Sequence, residues 1–150
     1  MMKSIVYVSQ ASAEFLSKGL SALSLHAQLN NQKHGITGFL YFQDTIFFQY
    51  IEGDESSIDE LYSSIESDAR HRIFCDLIIE DIDRKLFFTW DMEWIKQSDL
   101  SHIDIESHLI DTLLSGPTPN YSTEKWSEDI KCFIQRVAEK QNELITLNQT

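Results

Sequence analysis

Three polar side chains stand inside segments that are otherwise apolar or aromatic. They are Tyr7 in "SIVYVS", Asn31 at the end of "SALSLHAQLNN" and Gln49 in "IFFQYIEG". A buried amide without partners costs about 1–3 kcal/mol, so each of these groups requires a hydrogen-bond partner in the fold. If the three converge, they form a pocket with a few polar groups on an apolar lining, which is the usual pattern of a small-ligand site. The alternative is that each is satisfied separately by backbone groups.

Other arrangements of reactive residues are not visible in the sequence. The five histidines, at positions 26, 34, 71, 102 and 108, have no paired short spacing, so the pattern predicts no metal site. Cys75 and Cys132 are too few for a disulfide framework or a zinc site, and neither lies in a nucleophile motif. The five glycines form no phosphate-binding loop. We therefore expect no enzymatic activity.

Composition predicts one folded domain and excludes several partner classes. Hydrophobic residues make up 42% of the chain, too many for a disordered protein. The formal net charge of −12, from 24 acidic and 12 basic residues, repels phosphate backbones and anionic lipid. Apolar runs are shorter than a membrane span, and the start "MMKSIVYVSQ" has no signal-peptide core. We expect a cytoplasmic protein that binds neither nucleic acid nor membrane.

The elements that position the three polar residues follow from hydrophobic periodicity. Alternation and β-rich runs predict strands over 4–9, 37–43, 46–52, 74–81 and 90–95. Helical spacing predicts helices over 17–32 and 56–67, the second beginning at a capping box formed by Ser57 and Glu60. The order β-α-β-β-α-β-β is typical of an α+β ferredoxin-like fold, here a mixed five-stranded sheet with two helices on one face. Strands one and three are neighbours in that fold, so Tyr7 and Gln49 can meet beneath Asn31.

After residue 96 the pattern changes to helices. Residues 103–114 and 122–147 have helical spacing, and "SGPTPN" at 115–120 separates them. We predict a sheet domain over 1–96 and a helical extension over 97–150. The extension is too short for an independent core, so its apolar stripes must pack on the sheet domain or on another copy of the chain.

Five segments, in this order and spacing, closely resemble the BLUF family of blue-light sensors that use FAD. The segments are "IVYVSQ", "NNQKHGITGFLYF", "FFQYIEG", "DARH" and "WDMEW", and the resemblance covers residues 3–95. It implies a short photoreceptor that binds FAD non-covalently, with FMN or riboflavin as possible substitutes. It also implies signalling to a downstream regulatory protein, and we expect a homo-oligomer.

The resemblance also implies roles for particular residues. Tyr7 matches the tyrosine that donates an electron to the excited flavin, and Gln49 matches the glutamine between that tyrosine and the ring. Asn31, with Asn30 beside it, matches the asparagine that binds the flavin carbonyl edge. Phe47 matches an aromatic residue of the pocket wall.

Further matches concern the flavin edge and signal output. Asp68, Arg70 and His71 match a segment near the isoalloxazine edge, and Trp90 and Met92 match a fifth-strand pair linked to output. In a purely structural interpretation, Arg70 and His71 only end a helix, where cations are favoured, and the aromatic residues belong to the core. Ala27 departs from the serine that is common at its position.

The resemblance implies a switch without a covalent adduct. An amide has an acceptor at one end and donors at the other, so Gln49 can reverse its hydrogen bonds by rotation or tautomerisation. A red shift of the flavin absorption would follow. Two alternatives stay open: a flavin- or small-ligand-binding regulator that ignores light, and a small flavin-dependent redox enzyme.

Overall fold

The computed structural model describes residues 1–12, 35–43, 45–87, 92–95 and 107–149. The helix predicted over 17–32, which carries Ala27, Asn30 and Asn31, lies outside these residues, and so does Trp90. The chain forms two compact units, Met1–Lys96 and Gln97–Thr150.

Within its described residues, the first unit is a five-stranded sheet with a helix on one face. Its elements are β1 (Met2–Ala11), β2 (Thr37–Gln43), β3 (Ile46–Asp54), α1 (Glu55–Glu66), β4 (His71–Ile82) and β5 (Met92–Ile95). The strand order is β4-β1-β3-β2-β5, and all neighbours are antiparallel except the parallel pair β2 and β5. The predicted ferredoxin-like order with an added fifth strand is confirmed, and so is the contact between strands one and three.

The core follows from the burial of the two central strands. β1 and β3 are buried on both faces, as expected for strands in the middle of a covered sheet. On the face that α1 contacts lies a cluster formed by Ile5, Tyr7, Ile36, Ile51, Ile58 and Tyr62. On the opposite face lies an aromatic cluster formed by Phe39, Phe48, Tyr50 and Phe87. Tyr7 therefore belongs to the helix-side core.

The start of α1 differs from the prediction. Its N-cap is Asp54, not Ser57, so the predicted capping box is wrong. The backbone N–H of Glu55 donates to the carbonyl of Met1 at 3.0 Å, and the Ser56 hydroxyl donates to the Asp54 carboxylate at 2.6 Å. A bond to the distant first residue thus fixes where β3 turns into the helix, and no local motif could reveal it.

Gly38 marks the closest approach of β2 to β3. Its φ is 149°, and a Cβ added there would lie 1.9 Å from the carbonyl oxygen of Tyr50. No real side chain tolerates that contact, so only glycine lets the two strands pair here. This explains a glycine inside a run that otherwise has strand composition.

The described part of the second unit contains two helices, α2 (Ser107–Ser115) and α3 (Thr123–Gln149). They are separated by the predicted break, and the Trp126 indole N–H donates to the carbonyl of Leu113 at 3.1 Å. Trp126, Ile130, Phe133 and Val137 are buried, so the predicted apolar stripe is confirmed. Among the described helices, none is long and apolar enough to span a membrane.

Candidate functional site

Tyr7 and Gln49 face each other across the two central strands. They are direct partners in the antiparallel pairing of β1 with β3, which places both side chains on one face of the sheet. Tyr7 is 5% exposed and Gln49 is 7% exposed. The Tyr7 hydroxyl donates a hydrogen bond to Oε1 of Gln49. The predicted convergence of these two residues is therefore confirmed.

Two aromatic rings surround the ring of Tyr7. The Tyr62 ring, from α1, has its centroid 5.8 Å away, and the His71 ring, from the start of β4, lies at 6.1 Å. Burial, and secondarily the charge of Asp68, raises the pKa of Tyr7 above its usual value. The phenol therefore stays protonated and acts as the donor to Gln49 at physiological pH.

Asp68 and Arg70 form an ion pair in the turn between α1 and β4. Oδ1 of Asp68 accepts the Arg70 backbone N–H at 2.9 Å, and Oδ2 accepts from the guanidinium at 2.6 Å. These bonds from Arg70 lower the pKa of Asp68 to about 2. The backbone N–H of Ser12 donates to the carbonyl of Arg70 at 2.8 Å, so the turn is fixed to the end of β1.

His71 contacts the end of α1, as the purely structural interpretation predicts. Its Nε2 lies 2.8 Å from the carbonyl oxygen of Ile65 in the last turn of α1, so this ring does cap a helix end. The same ring packs on Tyr7, and Ala11 pairs with His71 across the sheet. Arg70, by contrast, pairs with Asp68 beyond the helix, which ends at Glu66. His71 thus joins the helix end to the Tyr7 environment.

Phe47 lies two residues before Gln49, so it shares a face of β3 with Gln49, and it is buried. The backbone of Met92 pairs with Gly38 in the parallel ladder between β2 and β5. In β2, Leu40 pairs with Gln49 of β3 on one side and with Trp94 of β5 on the other. Trp94 is therefore the β5 residue in register with Gln49 across the sheet. Asn30, Asn31 and Trp90 lie outside the described residues.

Buried polar atoms around Tyr7 fit a flavin ring. Within the described part of the chain, the hydroxyl of Ser9 and Nδ1 of His71 are buried without a hydrogen-bond partner. Unpaired buried donors and acceptors are costly, and a planar ring with carbonyl and nitrogen atoms at its edge can pair with them. The donor set present therefore suits the expected cofactor.

Two buried polar groups of the sheet domain were not predicted. Glu52, on the face of the sheet opposite Gln49, is fully buried and hydrogen-bonded. Its place in the alternation of β3, on the face of Phe48 and Tyr50, was the available signal. Tyr62 lies on the buried side of α1 with Ile58, and its hydroxyl donates to Asp76. That contact joins positions 14 residues apart, and nothing in the local pattern indicates it.

Fold and geometry together define a class: an α+β domain with a ferredoxin-like sheet, in which a buried tyrosine on the helix side donates to a buried amide. The chain belongs to the BLUF family, because the family model described as sensors of blue-light using FAD matches residues 2–93. The resemblance seen in the sequence is confirmed. The domain is accordingly a blue-light sensor that binds flavin.

Relatives and solved structures agree. The chain is 33% identical over 103 residues to photoactivated adenylate cyclase subunit alpha of Euglena gracilis, covering 67% of this chain and 9% of that protein. It superposes on the BLUF protein BlrB in its dark state with a TM-score of 0.69 and 26% identity, covering 93% of this chain and 96% of BlrB. It superposes on Klebsiella pneumoniae BlrP1, solved with FMN and cyclic diGMP, with a TM-score of 0.57 and 33% identity. That match covers 64% of this chain and 26% of BlrP1.

The match to the cyclases is confined to a small part of them. The chain spans 12% and 9% of the length of two of these relatives, so cyclase activity is a property of those proteins. What this chain shares with them is the sensor domain.

Proposed function

We propose that Tyr7 and Gln49 form the photochemical switch of this chain and that the switch controls a separate partner protein. The observation that carries the proposal is the buried hydrogen bond from the Tyr7 hydroxyl to Oε1 of Gln49. This bond joins Tyr7, whose phenol can lose an electron, to Gln49, whose amide can reverse its hydrogen bonds.

When bound, flavin supplies absorption of blue light and an acceptor for one electron. Tyr7 loses an electron, and its hydroxyl proton moves along the existing bond to Oε1 of Gln49. Burial keeps Tyr7 protonated beforehand, because it raises the pKa of the phenol. When Tyr7 recovers its electron and proton, Gln49 is left rotated or as its tautomer, with the other end of its amide toward Tyr7.

Six residues are proposed to hold the flavin together with Gln49. They are Asn30, Asn31, Phe47, Asp68, Arg70 and His71. Support comes from the burial of Phe47, from the Asp68–Arg70 ion pair fixed to the end of β1, and from the ring of His71 against Tyr7. FAD is the cofactor named for the family, and the FMN in BlrP1 supports a site that contacts mainly the ring.

We further propose that Trp90 and Met92 pass the change to residues 97–150, which contact a second copy of the chain or a regulatory protein. One rearranged hydrogen bond is worth about 1 kcal/mol, which shifts an equilibrium by less than about tenfold. The responding element must therefore be near balance in the dark. Residues 97–150 are a suitable candidate because they form a compact unit of their own.

The absorption spectrum before and after blue light tests this proposal. The purified protein should be yellow and should show a small red shift that reverses in the dark. Gln49→Leu should keep flavin and lose the shift, because leucine fills similar space without hydrogen bonds. Gln135→Leu, an exposed glutamine on α3, is the matched control and should keep the shift.

Two outcomes would contradict the proposal. A normal light-induced shift in Gln49→Leu would remove Gln49 from the switch. A flavin spectrum that light leaves unchanged in the unaltered protein would instead favour the light-independent regulator.

A further inference from the structure

Tyr62 is the second phenol of the site, and it contacts Tyr7 directly. The two ring centroids are 5.8 Å apart and the rings are tilted by 44°, which is ordinary packing distance for an aromatic pair. Tyr62 is only 6% exposed. Among the described side chains, it is the phenol that packs against Tyr7, so an electron can pass between them without an intervening group.

A carboxylate accepts the hydrogen bond of Tyr62. Its hydroxyl donates to Oδ2 of Asp76 at 2.7 Å, and Asp76 pairs with Tyr7 across the sheet. Asp76 is exposed, and it lines a cavity of about 420 Å³ together with Tyr62, Glu66 and Phe74. A proton that reached this carboxylate could therefore pass on to water.

The two phenols differ in the base that receives their proton. Tyr7 donates to a neutral amide, whereas Tyr62 donates to a carboxylate, which is a far stronger base than an amide oxygen. A phenol that loses an electron also loses its proton, so the stronger base stabilises the oxidised form. Burial, and secondarily Asp76, raises the pKa of Tyr62, which keeps the proton in place until then.

We propose that Tyr62 and Asp76 form a second electron- and proton-donor site that reduces the oxidised Tyr7. This inference rests on the proposed role of Tyr7 as the first electron donor. Tyr62 gives one electron to the Tyr7 radical, its O–H bond breaks, and the proton goes to Oδ2 of Asp76. This reduction precedes the rearrangement of the Gln49 amide, so Tyr7 takes its own proton back from Gln49 and both residues return to their starting forms. Tyr62 is then a neutral radical and Asp76 is protonated, and the electron that Tyr7 first lost would remain on the flavin, which supplies the oxidant when it absorbs light.

The consequence is a competition for the oxidised Tyr7. Direct recombination leaves Gln49 rearranged and produces the red-shifted state, whereas reduction by Tyr62 bypasses it. Tyr62 thus lowers the yield of the switch. If the Tyr62–Asp76 bond served only to join α1 to β4, its loss would change stability and leave the yield unaltered.

Electron paramagnetic resonance of the full flavin-loaded protein, frozen during blue illumination, tests the proposal. We expect a tyrosyl radical whose spectrum narrows when the tyrosines are ring-deuterated. Tyr62→Phe, which keeps the ring, should abolish the signal and raise the yield of the red-shifted state. Asp76→Asn, which keeps an acceptor oxygen but not the base, should reduce the signal several-fold.

The control is Tyr121→Phe. Tyr121 donates to Asp129 at 2.6 Å, a tyrosine–carboxylate pair of the same chemistry in the second unit, and its variant should keep the signal. A radical that survives unchanged in Tyr62→Phe would overturn the proposal, as would an unchanged signal in Asp76→Asn. A normal red shift without any tyrosyl radical would overturn this inference alone, whereas absence of the red shift would overturn the proposed function as well.

Discussion

The buried carboxylate of Glu52 forms hydrogen bonds to several segments of the sheet domain. Its carboxylate accepts from the hydroxyls of Thr37 and Tyr50 at 2.9 and 2.8 Å, and from the backbone N–H groups of Leu86 and Phe87 at 2.9 and 2.8 Å. A fully buried carboxylate is tolerated only when it is hydrogen-bonded in this way. Glu52 thereby ties the start of β2 and the end of β3 to the segment that leads toward β5.

We predict that Glu52→Gln lowers the free energy of unfolding by about 1–3 kcal/mol. The glutamine keeps one acceptor oxygen, but its amide nitrogen faces donors, so at least one buried N–H loses its partner. Urea denaturation followed by circular dichroism measures the change. Glu60→Gln, at an exposed position of α1, is the matched control. Equal unfolding midpoints for the two variants would show that the Glu52 bonds do not contribute.

The elements were largely predictable, and the exceptions have physical causes. Alternation in β3 placed Gln49 on one face, and the ferredoxin-like order brought it beside Tyr7, as the register confirms. Asp76 was not predictable, because simple alternation from Ile73 would place it on the opposite face. A shift in the pairing of β1 with β4, between Val8 and Ser9, moves Asp76 to the row of Tyr7. Such a shift depends on how two strands pair, so the sequence of either strand alone does not indicate it.

β5 carries Met92, which is proposed to pass the change at Gln49 to residues 97–150. Met92 pairs with Gly38, and Ile95 pairs with Tyr41 at the end of the same ladder. We predict that Met92→Leu keeps the spectral shift but reduces the light-induced change in α3, because the relay acts after the switch. Hydrogen exchange of α3 in the dark and in the light measures it, with Ile95→Val as the control. An undiminished light-induced change in Met92→Leu would exclude Met92 from the relay.

At the scale of the whole molecule, buried phenols set the alkaline limit of stability. Burial is the first cause that raises the pKa of Tyr7, Tyr50 and Tyr62. In the unfolded chain these groups ionise near pH 10, while the folded protein keeps their protons. Their contribution is therefore fully present below about pH 10 and is lost as the pH rises toward the folded values.

We predict that the urea midpoint falls steeply between about pH 10 and pH 11, because the unfolded chain loses protons there that the folded protein retains. Tyr62→Phe, which removes one of the three groups, should show a shallower decline over the same range. A decline of equal steepness in Tyr62→Phe and in the unaltered protein would contradict this assignment.

The division of the chain into two units predicts that light sensing can be separated from output. Tyr7, Gln49, Phe47 and the Asp68–Arg70 pair all lie in Met1–Lys96, which has its own core, so removal of residues 98–150 should leave the red shift unchanged. The same truncation should abolish any light-dependent change in self-association or in partner binding. Light scattering in the dark and under blue light measures self-association of the full and truncated chains. Light-dependent association that persists after truncation would place the output on the sheet domain itself.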